Sequence, residues 1–158
     1  MAVDLSPSEG GPVRCLLAAV GNSQMLLPHA CVAEIVNVDE REQLTGAPTW
    51  YAGRFVWRGE NVPLVSLQHL SGDVAAEAPR RIRVLVINPL TKRAELPFYG
   101  ILVNELPRPV LVDRGDVRMV EQGITKGRGV LTHVTLGGQA AMIPDLDSLE
   151  GLLHEHAH

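Results

Sequence analysis

Aromatic residues are scarce in this 158-residue chain, at 4% of the total, and the net charge is −4. A nucleic-acid surface usually shows a basic stripe interleaved with stacking rings, and neither is visible. Cysteine is scarcer still. Cys15 and Cys31 are too few for a disulfide scaffold and read as two reduced, buried thiols. No apolar run approaches the roughly 18–20 residues that span a bilayer, so direct membrane insertion is not expected. The opening "MAVDLSPSEGGPV" lacks a basic start and an apolar stretch. It reads as a disordered lead over residues 1–12 rather than a signal peptide, and the expected location is cytoplasmic.

What is present is a set of short apolar runs broken by Gly, Pro, Asn and Asp, the punctuation of an all-β barrel or sandwich. "RCLLAAV" and "QMLL" flank Gly21-Asn22-Ser23, a hairpin signal. Pro28 opens a single helical turn through Val32, and "AEIVNV" resumes β-branched character. Pro48 to Ala52 suggests another helical turn stopped by Gly53. "RFVW" and "VPLVSL" pair around Arg58-Gly59-Glu60-Asn61. Pro63 cannot donate to a ladder, so it belongs at an edge or with its nitrogen facing outward. A polar linker over 71–81 precedes "IRVLVIN", "LPFYGILVN", "RPVLV", "VRMV" and a second hairpin at Gly137-Gly138. In the tail, Leu146, Leu149 and Leu153 fall at helical spacing behind Asp145, a good N-cap. This predicts an amphipathic closing helix.

Catalytic signals are weak. His29 and Cys31 make two ligands or a thiol pair on one segment, short of the three or four that zinc needs. The terminal His154, His156 and His158 have no surrounding shell. "GITKGRG" over Gly123–Gly129 fails the phosphate-loop spacing, because Arg128 follows Gly127 where Lys and Ser/Thr are required. Asp113 and Asp116 around Gly115 read as a surface turn. No cofactor, no metal and no enzymatic step is expected.

Binding is the economical reading. Trp50, Tyr51, Trp57 and Arg58 lie within one short stretch, and Trp, Tyr and Arg dominate interface hot spots. Strand alternation puts Phe55 and Trp57 on one face and Val56 and Arg58 on the other. The bland reading is that both tryptophans are core and Arg58 is a solvated turn residue.

These residues resemble the CheW-like family of chemotaxis coupling proteins. Val32-Ala33-Glu34-Ile35, Ala47-Pro48, Gly53, Arg58-Gly59 and Val62-Pro63-Leu64-Val65-Ser66-Leu67 follow that family's order and spacing. "YGILVNELPRPVLV" and "GVLTHVTLGGQAAMIPDLDSL" resemble its later elements. The resemblance implies two interleaved five-stranded SH3-like β-barrels with a C-terminal helix, in one domain over residues 13–153. The expected division is a first barrel over about 13–70, the linker 71–81, a second barrel over about 82–136, a closing hairpin and helix over 137–153, and a tail over 154–158. It also implies a non-enzymatic scaffold joining the regulatory domain of a CheA-type histidine kinase to a chemoreceptor tip. The resemblance implies contacts at the Glu34 and Arg58 positions; the full expected set is Val32, Glu34, Val36, Gly53, Val56, Arg58, Gly59, Val62 and Leu64, with Val62 and Leu64 expected as exposed apolar residues on an edge strand and Glu34 expected to pair with Arg58 across neighbouring elements. Val56-Trp57, Ser66, Gln68 and Asn104 depart from the family pattern. By analogy these point to a divergent coupler, such as one serving type IV pili and twitching motility. The competing classes are a small β-barrel nucleic-acid binder and a thiol enzyme using His29 and Cys31.

Overall fold

A computed structural model describes residues 11–72, 82–91, 95–120 and 127–156. Residues 1–10 of the expected lead over 1–12, most of the linker (73–81) and residues 123–126 of the Gly-rich segment lie outside the described residues.

Strands β1 (Val13–Val20) and β2 (Ser23–Pro28) form the first hairpin, and a 3-10 turn at His29–Cys31 leads into β3 (Val32–Val38). A long loop ends at β4 (Tyr51–Trp57), which pairs with β5 (Glu60–Val65); the short α1 (Leu67–Leu70) follows. Then come β6 (Ile82–Ile87), β7 (Tyr99–Val103), β8 (Arg108–Val112), β9 (Val117–Met119), β10 (Val130–Leu136), β11 (Gln139–Pro144) and the closing α2 (Leu146–His156).

The strands do not sort by halves of the chain. One sheet runs β8-β1-β2-β11-β10-β9 and the other β3-β6-β7-β5-β4. The first hairpin therefore joins the C-terminal strands, and β6 and β7 complete the N-terminal sheet. The exchange is the interleaving that the resemblance implies, but it does not follow the expected division at 70 and 82, and β9 brings one sheet to six strands. Two parallel contacts, β2 with β11 and β5 with β7, stitch the exchange.

This arrangement accounts for the nearly continuous apolar runs, since strands covered on both faces lose simple alternation. On β6, Ile82, Val84 and Val86 fill the interior of their own sheet, while Leu85 and Ile87 enter a central core between the sheets. On β1, Cys15 and Leu17 fill the other sheet's interior, while Leu16, Ala18 and Val20 face the centre. Helix α2 closes that centre with Leu146, Leu149 and Leu153, all fully buried. Asp145 Oδ1 accepts from the Ser148 amide at 3.1 Å, the expected N-cap. The helix continues to His156, past the expected end at 153, and the His156 ring lies 4.5 Å from that of Tyr51.

Two local expectations fail near the candidate site. Gly53 does not stop a helix. It lies within β4 at a register shift between Tyr51 and Gly53, with φ +104. A Cβ there would stand 2.4 Å from the Glu42 carbonyl oxygen, so the bulge needs glycine for both conformation and space. The β4–β5 turn is also tighter than expected, because Trp57 pairs directly with Glu60. Only Arg58 and Gly59 lie in the loop, with φ +48 and +77, as a type I′ turn requires. From that register, Arg54 and Pro63 oppose each other at a non-hydrogen-bonded position. The proline nitrogen thus points away from β4, and pairing with β7 begins only at Leu64.

Candidate protein-binding site

β3 and β4 are the two ends of their sheet, and curling brings those ends together. The indole Nε1–H of Trp57 on β4 donates to Glu34 Oε2 on β3. The other Glu34 oxygen, Oε1, lies 3.5 Å from Nη2 of Arg58. The Arg58 guanidinium carbon sits 4.6 Å from the Trp57 ring centroid, a cation–π contact. Phe98 packs edge-on to the same ring at 4.9 Å.

One carboxylate therefore holds both an indole N–H and a guanidinium. The Trp57 ring is buried, whereas the Arg58 side chain is 68% exposed and Glu34 39%. Neither plain alternative describes this: both tryptophans are core, and Arg58 is nonetheless partnered on two sides. The turn places arginine in the left-handed region, which costs a non-glycine residue about 1 kcal/mol. Val56 beside it is 70% exposed. A groove of about 690 Å3 runs along this edge, lined by Val36, Val38, Phe55, Val56 and Trp57 together with the loop at Asp39–Glu42. Glu42 and Arg54 pair across that loop at 3.0 and 3.1 Å. The hydrogen bond between them lowers the Glu42 pKa and raises that of Arg54.

The nine expected contact positions divide. Glu34, Val56, Arg58 and Gly59 gather at the exposed edge. Val36 lines the groove, and Val32 is half-buried against the central core. Gly53 is buried in the bulge. Val62 and Leu64 are 0% exposed, which corrects their expected exposure. β7 covers the flank of β5 that a two-stranded hairpin would leave open, and both side chains point into the sheet's interior. They support Trp57 from beneath.

Several departures from the family pattern have structural work. Trp57 supplies the N–H and the ring face. The Ser66 hydroxyl caps α1 by accepting from the His69 amide at 3.3 Å. Asn104 Oδ1 accepts from the Gly21 amide at 2.6 Å and fastens the first hairpin turn.

The competing chemistries find little support in the geometry. Burial pushes the Cys15 thiol up to about 11 and raises that of Cys31, the opposite of what a thiolate nucleophile needs. Both tryptophans and both tyrosines are buried, which leaves none of them as a stacking platform for bases. Among the described residues no three His, Cys, Asp or Glu side chains cluster as metal ligands, and no helix is long and apolar enough to cross a membrane. Asp113 and Asp116 form a reciprocal cap on a 3-10 turn at Arg114–Asp116.

Sequence reading missed Glu150. It is fully buried on α2 and accepts from the Leu90 and Thr91 amides, the Thr91 hydroxyl and the Tyr99 hydroxyl at 2.9 to 3.0 Å. Its only sequence signal is a carboxylate one position beyond a buried leucine on an otherwise apolar stripe.

Two curled β-sheets sharing one core, with a charged and aromatic cluster displayed at a sheet edge, define a β-barrel protein-interaction domain. The model of the CheW-like domain matches residues 14–152, and the chain belongs to that family. Among solved structures, the scaffolding protein TtCheW from Thermoanaerobacter tengcongensis is similar in fold, with a TM-score of 0.71 at 15% identity, over 85% of this chain and 90% of that one. No curated protein sequence matches the chain.

Proposed function

We propose that this chain is a cytoplasmic, non-enzymatic adaptor that joins a chemoreceptor tip to the regulatory domain of a CheA-type histidine kinase. The observation that carries the reading is the Glu34–Trp57–Arg58 cluster, in which Glu34 and Arg58 occupy positions that the resemblance gives as contacts, and Arg58 faces solvent while held by the Glu34 carboxylate and the Trp57 ring. An arginine oriented by a carboxylate and a ring keeps donors for a partner while losing little side-chain freedom on binding. The half-buried valines of β3 and the exposed Val56 supply apolar surface around it, the pattern of a hot spot with a polar rim. The departures at Trp57, Ser66, Gln68 and Asn104 favour a divergent pathway such as one controlling type IV pili.

Calorimetry with the purified kinase regulatory domain tests the reading. Binding is expected at concentrations up to about 100 μM, and Arg58→Ala should weaken it by about 2 kcal/mol, roughly 30-fold. Glu34→Ala should weaken it as well, and the double variant by less than the sum, because the two side chains act as one unit. Unchanged affinity in all three variants would overturn the site. Co-purification of a pilus-system receptor, rather than a flagellar one, tests the pathway.

A further inference from the structure

Arg41 lies in the loop before β4, between two cavities. One is the groove beside Val56. The other is a pocket of about 250 Å3 bounded by that loop, the start of β4, α1 and Leu102 of β7. The guanidinium is half-buried, and Nη1 donates to the Ala52 carbonyl at 3.1 Å. Among the described residues that is its one hydrogen bond, and no carboxylate there pairs with it. Glu42, next in sequence, is held by Arg54, and Glu34 by Arg58. Burial holds the Arg41 pKa below its ordinary value with nothing to offset it. A guanidinium carries five donors in a fork shaped for a carboxylate, so most of its capacity is unspent.

The rest of the pocket suits an anion on a short apolar stem. Tyr51, Ser66 and His69 contribute polar groups, and Leu44 and Leu102 contribute apolar wall. Ser66 Oγ lies 2.7 Å from His69 Nδ1 and already accepts from the His69 amide. In the tautomer with the imidazole hydrogen on Nε2, the serine hydroxyl donates to Nδ1 and Nε2–H is a further donor. The volume is below the roughly 300–1,000 Å3 of sites for drug-sized ligands; it fits one side chain. Because Arg41 also borders the groove, a protein lying along the groove passes the pocket mouth.

We propose that this pocket receives the carboxylate of an Asp or Glu side chain presented by a protein docked along the adjoining groove. The site is distinct from the Glu34–Arg58 cluster and does not depend on which protein binds there.

The test is 1H–15N NMR of the full chain, titrated with N-acetyl-glutamic acid α-methylamide, with potassium isobutyrate as a carboxylate outside any peptide, with inorganic phosphate, and with potassium chloride at matched ionic strength. The glutamyl probe should give saturable shifts at Arg41 Nε–H and at the Tyr51 and His69 amides, with a millimolar Kd. Arg41→Gln should weaken it at least about tenfold. Arg41→Lys, which keeps the charge and loses the fork, should fall between, and serves if the glutamine variant melts early. Equal shifts with chloride, or undiminished binding in both variants, would overturn the site. Tighter binding of isobutyrate would overturn the assignment to a protein side chain, and tighter binding of phosphate the assignment to a carboxylate. Arg58→Ala should leave the titration unchanged, so failure of the kinase-coupling reading remains separate from failure of this one.

Discussion

Removing the Glu150 carboxylate exposes how α2 is fastened to the sheets. The side chain is 0% exposed and accepts four hydrogen bonds, two from backbone amides and two from hydroxyls. Hydrogen bonds to a charged group contribute about 1.5–3 kcal/mol each in mutational series. The sum is not the expected loss, because truncation also relieves the desolvation of a buried charge, which costs several kcal/mol. Leu90 and Thr91 are only half-buried, so water can reach their freed donors. Tyr99 is fully buried, and losing the carboxylate as acceptor for its hydroxyl costs about 1–3 kcal/mol. These opposing effects leave Glu150→Ala destabilising by about 3 kcal/mol, the range found when one partner of a buried charged network is deleted. For a domain of this size that lowers Tm by roughly 10 °C, at 2–4 °C per kcal/mol. Tyr99→Phe alone should cost about 1 kcal/mol. The double variant should be less unstable than the sum, since both substitutions remove the same hydrogen bond. Urea unfolding of the four proteins measures the cycle. A Glu150→Ala variant within about 0.5 kcal/mol of the parent, the scale of ordinary surface substitutions, would refute the reasoning, as would strict additivity. Affinity for the proposed partner should not change, because Glu150 bonds to none of Glu34, Trp57 and Arg58.

Arg58→Gly should hold or raise stability by up to about 1 kcal/mol, since glycine accepts the φ of +48 without strain, while partner affinity falls as for Arg58→Ala; lost stability with affinity intact would contradict both roles. Gly53→Ala should destabilise by about 2 kcal/mol or more in urea unfolding, combining the φ of +104 and the 2.4 Å approach to Glu42. Cys15 gives an alkaline signature. Its folded pKa is raised from 9.0 to about 11, so the unfolded chain loses this proton first, and the contribution is intact below pH 9 and lost as pH rises toward 11. At one pKa unit per 1.36 kcal/mol, urea midpoints at pH 8 and 10.5 should differ by at most about 2 kcal/mol more in the parent than in Cys15→Ala; identical pH dependence would refute it.

What was legible in the chain is local. The Asp145 cap, the leucine stripe and the Gly137-Gly138 turn are written within a few residues, and each stands where its chemistry requires. Glu34 and Arg58 come from distant positions, and the resemblance brought them together before the geometry did. The exchange of strands between sheets is not local. β5 reads as the outer strand of a hairpin until β7 covers it, and nothing near Val62 or Leu64 encodes that neighbour. Gly53 fits a helix stop as well as a bulge when the 2.4 Å approach of Glu42 is unseen. Glu150 is hidden for the same reason, because all four of its donors lie 51 to 60 residues earlier.

The place where local rules are broken coincides with the proposed binding edge. A two-residue hairpin turn of this type favours Asn-Gly or Asp-Gly, and this one has arginine at a strained φ. The neighbouring strand spends a carboxylate on an indole and a guanidinium rather than on solvent. An exposed ion pair contributes only about 0–1 kcal/mol to stability, and an exposed cation–π contact about 0.5–1 kcal/mol. Those gains roughly cancel the strain of the turn, so folding stability alone gives no reason to keep arginine there. Arginine is favoured at this turn only if something outside the chain engages it. The backbone conformation of this one residue thus connects the Trp57–Arg58 turn to the proposed binding edge.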